Sequence, residues 1–294
     1  MSNIEQSSFS ILPMTASHLT PALHLGRESG WNQLREDWQR LLAYEPEGCF
    51  VAIVDGRLAG TVTTTRYGSQ LAWIGMMLVH PEFRRRGIAT ALMCRSIEYL
   101  RSHQVRCIKL DATPVGENVY KKLGFKVEWP FHRWSRAGSA VTTRPDVPAP
   151  DVPAPDVPGF DVPENVRVPE TAMEADRDGF GADRGVFLRR LASGSFVHAI
   201  RDGYGMLRPG FLASYLGPVS AKTSSAAESI IAELCQQTDR TVFWDIPGPH
   251  TVAIQIARSL GFEPVRDLTR MWRGDKCLRP NLQLQYALAD PGTG

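Results

Sequence analysis

The chain has 294 residues, 43% of them hydrophobic and 22% charged, which is the make-up of a soluble globular protein long enough for two domains. A net charge of +2 is too small to argue for nucleic acid binding, no run of about 18 apolar residues is present to span a membrane, and the five cysteines form no Cys-x-x-Cys pair that would suggest a disulfide framework or a zinc site. The charge is uneven, with an excess of +5 over residues 1–136 and −3 over residues 137–294. The seven histidines stand apart from one another, so no metal is expected. Met1 to Ser10 lacks the charged and apolar regions of a signal peptide, so a cytoplasmic protein with buried free thiols is expected.

Taken in chain order, Phe9 to Leu12 is a short strand candidate, and Thr15-Ala16-Ser17 offers caps for a helix running toward Glu28. Gly30-Trp31-Asn32 interrupts it, and Gln33 to Tyr44 reads as a second helix. Three strand-like runs follow: Phe50 to Val54, ending at the hairpin signal Asp55-Gly56, then Leu58 to Tyr67 and Leu71 to Val79. Ile88 to Arg101 has apolar residues near helical spacing, Cys107 to Leu110 is a buried strand candidate ending at Asp111, Val115 to Leu123 is a short helix closed by Gly124, and Phe125 to Trp134 is a last strand. This order predicts an α/β sandwich around a mixed, mainly antiparallel sheet.

Between the strand ending at Val79 and the helix starting at Ile88 lies Arg84-Arg85-Arg86-Gly87-Ile88-Ala89-Thr90. A basic, glycine-containing loop that opens a helix suits a pyrophosphate: the first helical N–H groups lack intrahelical partners, and the helix dipole favours an anion there. Gly87 lets the backbone approach closely, and the arginines can grip phosphate oxygens. A solvated basic turn, or a contact to nucleic acid phosphates, accounts for the same residues.

Residues 137–170 read as a linker, with Asp-Val-Pro-Ala-Pro at Asp146 and Asp151 and Asp-Val-Pro again at Asp156 and Asp161. The remainder repeats the first part in weakened form. Leu123-Gly124-Phe125 resembles Leu260-Gly261-Phe262, and Leu110-Asp111-Ala112-Thr113-Pro114 resembles Trp244-Asp245-Ile246-Pro247. Aligning Val79 with Val219 sets Arg84 opposite Ser224 and Gly87 opposite Ala227, and aligning the two glycines sets Tyr120 opposite Ala257. Two copies of one unit are expected, with the phosphate loop kept only in the first.

The loop Arg84-x-x-Gly87-x-Ala89, followed by Asn118-Val119-Tyr120-Lys121-Lys122-Leu123-Gly124-Phe125, resembles the GCN5-related N-acetyltransferase (GNAT) family over residues 9–134. Phe180-Gly181-Ala182-Asp183-Arg184, Leu216-Gly217-Pro218-Val219 and Tyr286-Ala287-Leu288-Ala289 resemble the C-terminal domain of a bacterial tandem subgroup, and Gly30-Trp31-Asn32 fits the same subgroup. The resemblance implies two GNAT-like domains in tandem: residues 1–136 as the acetyl-CoA-binding catalytic domain, 137–170 as the linker, and 171–294 as a degenerate domain with a structural or substrate-covering role. Each domain would have a splayed pair of central strands.

The implied activity is transfer of an acetyl group from acetyl-CoA to the primary amine of a small molecule through a tetrahedral intermediate, without a metal. Met77, Leu78 and Val79 would offer main-chain bonds to the pantetheine, and the Leu78 N–H would stabilise the oxyanion, a donor worth on the order of 3 kcal/mol. Arg84 to Thr90 would hold the pyrophosphate, and Asn118 would bond the cofactor or be a helix-surface residue. Tyr120 would return a proton to the thiolate; a core aromatic is the other reading. Asp111 would be the base, would fix the amine, or would cap the following helix, a water relay being the alternative base. Trp31, Asn32, Glu36 and Asp37 are the substrate-site candidates from the helical lid, Glu36 and Asp37 being equally suited to a solvated helix face. Acetylation of a protein N-terminus or lysine, and acyl-CoA binding by a non-enzymatic regulator, are the competing functions. No nucleic acid or membrane partner is expected, and the state is monomer or homodimer.

Overall fold

The structure is a computed structural model, and it describes residues 9–139, 168–275 and 278–294; nearly all of the linker read from the sequence lies outside them. The first half contains β1 (Phe9–Pro13), α1 (Leu19–Glu28), α2 (Arg35–Tyr44), β2 (Phe50–Val54), β3 (Arg57–Tyr67), β4 (Leu71–Val79), α3 (Ile88–Ser102), β5 (Cys107–Ala112), α4 (Pro114–Lys122) and β6 (Lys126–Arg136). The second contains α5 (Glu170–Phe180), α6 (Gly185–Ala192), β7 (Phe196–Ile200), β8 (Gly203–Arg208), β9 (Ser214–Ala221), α7 (Ser224–Gln236), β10 (Val242–Ile246), α8 (Thr251–Ser259), β11 (Glu263–Gly274) and β12 (Gln285–Ala287).

Local chemistry accounts for the element boundaries. Asp55 and Gly56 both have positive φ (49° and 75°), as a tight hairpin between β2 and β3 requires. Thr113 caps α4 by accepting from the Gly116 N–H at 3.3 Å, Pro114 takes the first helical position, and Gly124 at φ 82° turns the chain out of the helix. The second half uses the same device at Gly261, φ 78°, after α8.

All twelve strands form one sheet, in the order β1-β2-β3-β4-β5-β11-β6-β10-β9-β8-β7, with β12 on β9. The central strands are exchanged between the halves. β11 lies between β5 and β6 of the first half, and β6 lies between β11 and β10 of the second. Among the described residues the only parallel neighbours are β4 with β5 and β9 with β10. Each half therefore completes its sheet with the last long strand of the other.

On one face of the sheet, α3 covers Phe50, Val62, Ile74, Ile108 and Leu110, while α7 and α8 cover Leu216, Val242, Trp244 and Ile246 in the second half. On the other face the halves share one core: Leu19, Trp38, Tyr67 and Trp73 pack with Phe180, Phe187, Leu191 and Tyr204. Burial of large side chains of this kind contributes roughly 1.5–3 kcal/mol each. Three of the described cysteines are buried, as expected, but Cys94 is exposed on α3. Among the described residues no helix is long and apolar enough to cross a membrane.

The segment that follows β12 crosses this shared face. Leu288 donates its N–H to the Asp245 carbonyl at 2.9 Å. Farther on, Trp73 Nε1 donates to the Pro291 carbonyl at 3.2 Å, the Tyr67 hydroxyl to that of Thr293 at 2.7 Å, and Arg184 Nη1 to that of Gly294 at 2.8 Å. The packing is so close that a Cβ at Gly75 of β4 would overlap the Gly292 carbonyl oxygen, and one at Gly217 of β9 the Leu288 carbonyl oxygen.

Candidate active site

β4 and β5 are paired only from Leu71–Cys107 to Trp73–Lys109, and beyond that they separate. One residue of β3 (Val62) faces two of β4 (Met76 and Met77), so β4 carries a bulge there, with Met76 at φ 49°. The Thr61 hydroxyl braces the bulge by donating to the Met76 carbonyl at 2.7 Å. Met77, Leu78 and Val79 thus line the open side of a splayed strand pair, where an extended chain can lie against main-chain donors and acceptors.

The far end of the gap is the loop. Gly87 sits at the cap position of α3 with φ 83°, a left-handed conformation that costs any side chain, and no side chain fills the cap. Ile88, Ala89 and Thr90 supply the first N–H groups of the helix, which point outward with the positive end of its dipole. Arg84, Arg85 and Arg86 are exposed around them; Arg84 Nε donates back to the Val79 carbonyl at 3.2 Å, and Arg86 lies over the Phe83 ring. The gap and the cap together fit a cofactor with an extended arm ending in a pyrophosphate.

α4 closes the other side. Tyr120 packs its ring against Phe125, and its hydroxyl has no hydrogen-bond partner among the described residues. Burial pushes this phenol up to about 12, so it stays protonated at neutral pH. Asn118 is exposed on the same helix.

Asp111 does not stand free as the sequence reading of a base or an amine anchor requires. Its two carboxylate oxygens accept from Nε and Nη2 of Arg270, each at 2.9 Å, and neither side chain has meaningful solvent exposure. Burial pushes the Asp111 carboxyl up to about 6 against the pull of the guanidinium. Arg270 is itself held between the Trp73 and Trp129 rings, 4.4 and 4.5 Å from their centroids. Nor is Asp111 the cap of α4, since Thr113 fills that place.

The lid residues also divide. The Asn32 side chain clasps the second half: Oδ1 accepts from the Leu212 and Ala213 N–H groups at 2.8 and 2.9 Å, and Nδ2 donates to the Ala213 carbonyl. Its amide oxygen and one amide hydrogen hold the halves together, while the residue also lines the cleft between them. Trp31 stacks on Trp38. Glu36 is exposed in the first turn of α2, while Asp37 accepts from the Leu34 N–H and from Arg40. Arg270, which the sequence reading missed, had a signal: Arg133 and Arg270 each stand nine residues beyond the matched glycines Gly124 and Gly261.

The second half keeps the splay, the bulge and the buried ion pair but lacks the open gap and the unfilled helix cap. β9 separates from β10 after Leu216 and has the same one-against-two bulge, but β12 lies against β9 in the gap. The bulges set Leu78, rather than Val79, against Val219. Thr223 caps α7 with its hydroxyl, accepting from the Ala226 N–H at 3.2 Å, so the helix end that would meet a phosphate is already filled. Asp245 is locked as Asp111 is: Arg133 donates to both of its oxygens at 2.8 Å. Among the described residues, no group of three or more acidic, histidine or cysteine side chains is placed to hold a metal.

The sequence profile of the acetyltransferase (GNAT) family matches residues 13–125, and a second GNAT domain profile matches residues 172–287. An acetyltransferase of Sodalis glossinidius is 31% identical over 105 residues, a match that covers 33% of this chain and 70% of that protein. An uncharacterized N-acetyltransferase of Methanocaldococcus jannaschii is 29% identical over 119 residues, 37% of this chain, and the chain spans only about half (52%) of that relative. The fold is also that of a candidate acetyltransferase from Pyrococcus horikoshii, similar over 100% of this chain and 99% of that one with a TM-score of 0.80 at 24% identity. The chain belongs to the GNAT acetyltransferase family and carries two GNAT domains in tandem.

Proposed function

We propose that the chain transfers an acetyl group from acetyl-CoA to the primary amine of a small molecule, with the first half carrying the chemistry and the second serving as scaffold and substrate cover. The observation that carries this reading is the open edge of β4 beyond Trp73, ending at a helix whose cap is a glycine without a side chain. Met77 to Val79 would hold the pantetheine arm by main-chain bonds, Arg84 to Arg86 and the N–H groups of Ile88 to Thr90 the pyrophosphate, and Asn118 the adjoining arm. The acetyl donor supplies an activated thioester.

The chain's own groups then have distinct tasks. The Leu78 N–H would donate to the carbonyl oxygen as it gains negative charge, a donor worth on the order of 3 kcal/mol. Tyr120, protonated and without another partner, would give its proton to the departing thiolate. With Asp111 held by Arg270, the acceptor's ammonium would lose its proton through water to give the neutral amine that attacks. A small acceptor is favoured over a protein chain because α5, α6 and the segment 288–294 cover the face opposite the cofactor cleft.

The test is acetyl-CoA-dependent thiol release over a panel of amines, together with the thermal shift produced by acetyl-CoA alone. A thermal shift with release on small amines supports the reading. A shift with no release on any amine turns it toward a regulator that binds acyl-CoA, and release only on peptides turns it toward a protein acetyltransferase.

A further inference from the structure

A narrow polar cleft opens where the two halves meet, outside the residues that the cofactor would use. Gln33 and Asp37 line it from the lid of the first half, together with Arg133 of β6; Arg208, Tyr215 and Asp290 line it from the second. The two guanidinium groups flank one aromatic ring, with Arg208 4.3 Å and Arg133 5.5 Å from the Tyr215 centroid. Both are largely buried and rigidly held. Arg208 donates to the carbonyls of Gly217 (2.8 Å) and Ala289 (2.6 Å) and to Asp290 (3.2 Å), and Arg133 donates through Nε and Nη2 to Asp245.

The balance of donors and acceptors is unequal. Arg133 Nη1 and Arg208 Nε have no hydrogen-bond partner among the described residues, and the Gln33 amide has none either. The carboxylates are engaged: Asp37 accepts from the Leu34 N–H and Arg40, and Asp290 from the Gly292 N–H, Thr293 and Arg208. Spare donors fixed at a low-dielectric junction suit a group that only accepts, and guanidinium favours carboxylate among such groups. Asp290 is also two residues from Gly292, which packs on Met76 of the β4 bulge. Two residues of extended chain span about 7 Å at most, and Leu78 is two residues beyond Met76, so the path from Asp290 to the proposed oxyanion donor is bounded at roughly 20 Å.

We propose that this cleft holds the carboxylate of the acceptor, and that the acceptor is an amino acid-type amine acetylated at an amino group remote from that carboxylate. The inference rests on the acetyltransferase reading above and adds the acceptor class and the residues that select it.

Lysine and ornithine, compared with cadaverine and putrescine, are pairs that differ only by the carboxylate. With the full chain and acetyl-CoA, each amino acid is expected to exceed its decarboxylated partner at least tenfold in kcat/KM. Gln33→Glu places a negative charge beside the site at a side chain with no internal bonds, and should move that ratio toward one through the KM of the amino acid. Binding is read separately: lysine without acetyl-CoA should raise the Tm, and cadaverine should not. Equal kcat/KM within each pair, an unaltered ratio in Gln33→Glu, or neither turnover nor a thermal shift with the amino acids overturns the proposal. If acetyl-CoA itself gives no thermal shift, it is the acetyltransferase reading that fails.

Discussion

Arg270 and Asp111 lie 159 residues apart in the chain and directly opposite each other across β11 and β5, joined by two hydrogen bonds of 2.9 Å. Arg133 and Asp245 repeat the arrangement in reverse, across β6 and β10. Each half thus supplies the counter-charge for the buried carboxylate of the other. Removing one partner of such a pair leaves an uncompensated buried charge, whereas replacing both by apolar groups is often neutral. Arg270→Ala should therefore lower stability by about 3–5 kcal/mol, measured by urea unfolding. The double variant Arg270→Met with Asp111→Leu should recover most of it and keep measurable turnover. A stable but inactive double variant would return Asp111 to the mechanism as the base.

The exchange of β6 and β11 makes the halves incomplete when separated. A fragment of residues 1–139 lacks the strand that pairs with β5, and it exposes both edges of β6. Neither it nor residues 168–294 should unfold cooperatively alone, while co-expression should restore a complex that acetyl-CoA stabilises. A monomeric, cooperatively folded first fragment with a full acetyl-CoA shift would show that the exchanged strand is dispensable.

Gly87 has a φ of 83°, and in the proposed function it also lets the pyrophosphate approach closely. Gly87→Val should weaken acetyl-CoA binding at least tenfold, read as loss of the thermal shift, with only a modest fall in the Tm of the free protein. Thr223→Ala at the corresponding cap should lower stability by about 1 kcal/mol and leave the acetyl-CoA shift as it was. The reverse pattern would place the cofactor in the second half.

Burial raises the Tyr120 phenol to about 12, above the ordinary value of 10. The sign matters here: the acid form is kept, not lost, as pH rises through 10. Turnover should show no alkaline limb from this group below about pH 11, and Tyr120→Phe should lower kcat at least tenfold while changing the KM for acetyl-CoA little. A limb near pH 9 that disappears in Tyr120→Phe would mean that the tyrosine acts with a much lower pKa than its burial indicates.

Much of the first half was legible in the sequence because its signals are local. The Asp55-Gly56 hairpin, the Thr113-Pro114 helix start and the glycine at 87 each act over a few residues, and each lies where its chemistry predicts. The repeat was legible as well, since Gly124 and Gly261 end equivalent helices. What could not be read was pairing between distant strands. Nothing in Lys126 to Arg136 says that its neighbours are β11 and β10, because alternation fixes which face a residue takes and not which strand lies beside it. Asp111 was misjudged for that reason: its partner comes from the exchanged strand. The bracing role of Asn32 was hidden for a related one, since its hydrogen bonds go to residues 212 and 213. The filling of the second gap by β12 was equally hidden in a three-residue strand.

The strand exchange also constrains how such a molecule changes over time. A duplicated copy that has lost its cofactor loop would ordinarily be free to decay or be deleted. Here its strand β11 stands next to β5, one strand away from the gap of the copy that kept the loop. Deleting that copy would therefore remove a strand that the other needs, and a gene fission between the two would leave neither product able to close its own sheet.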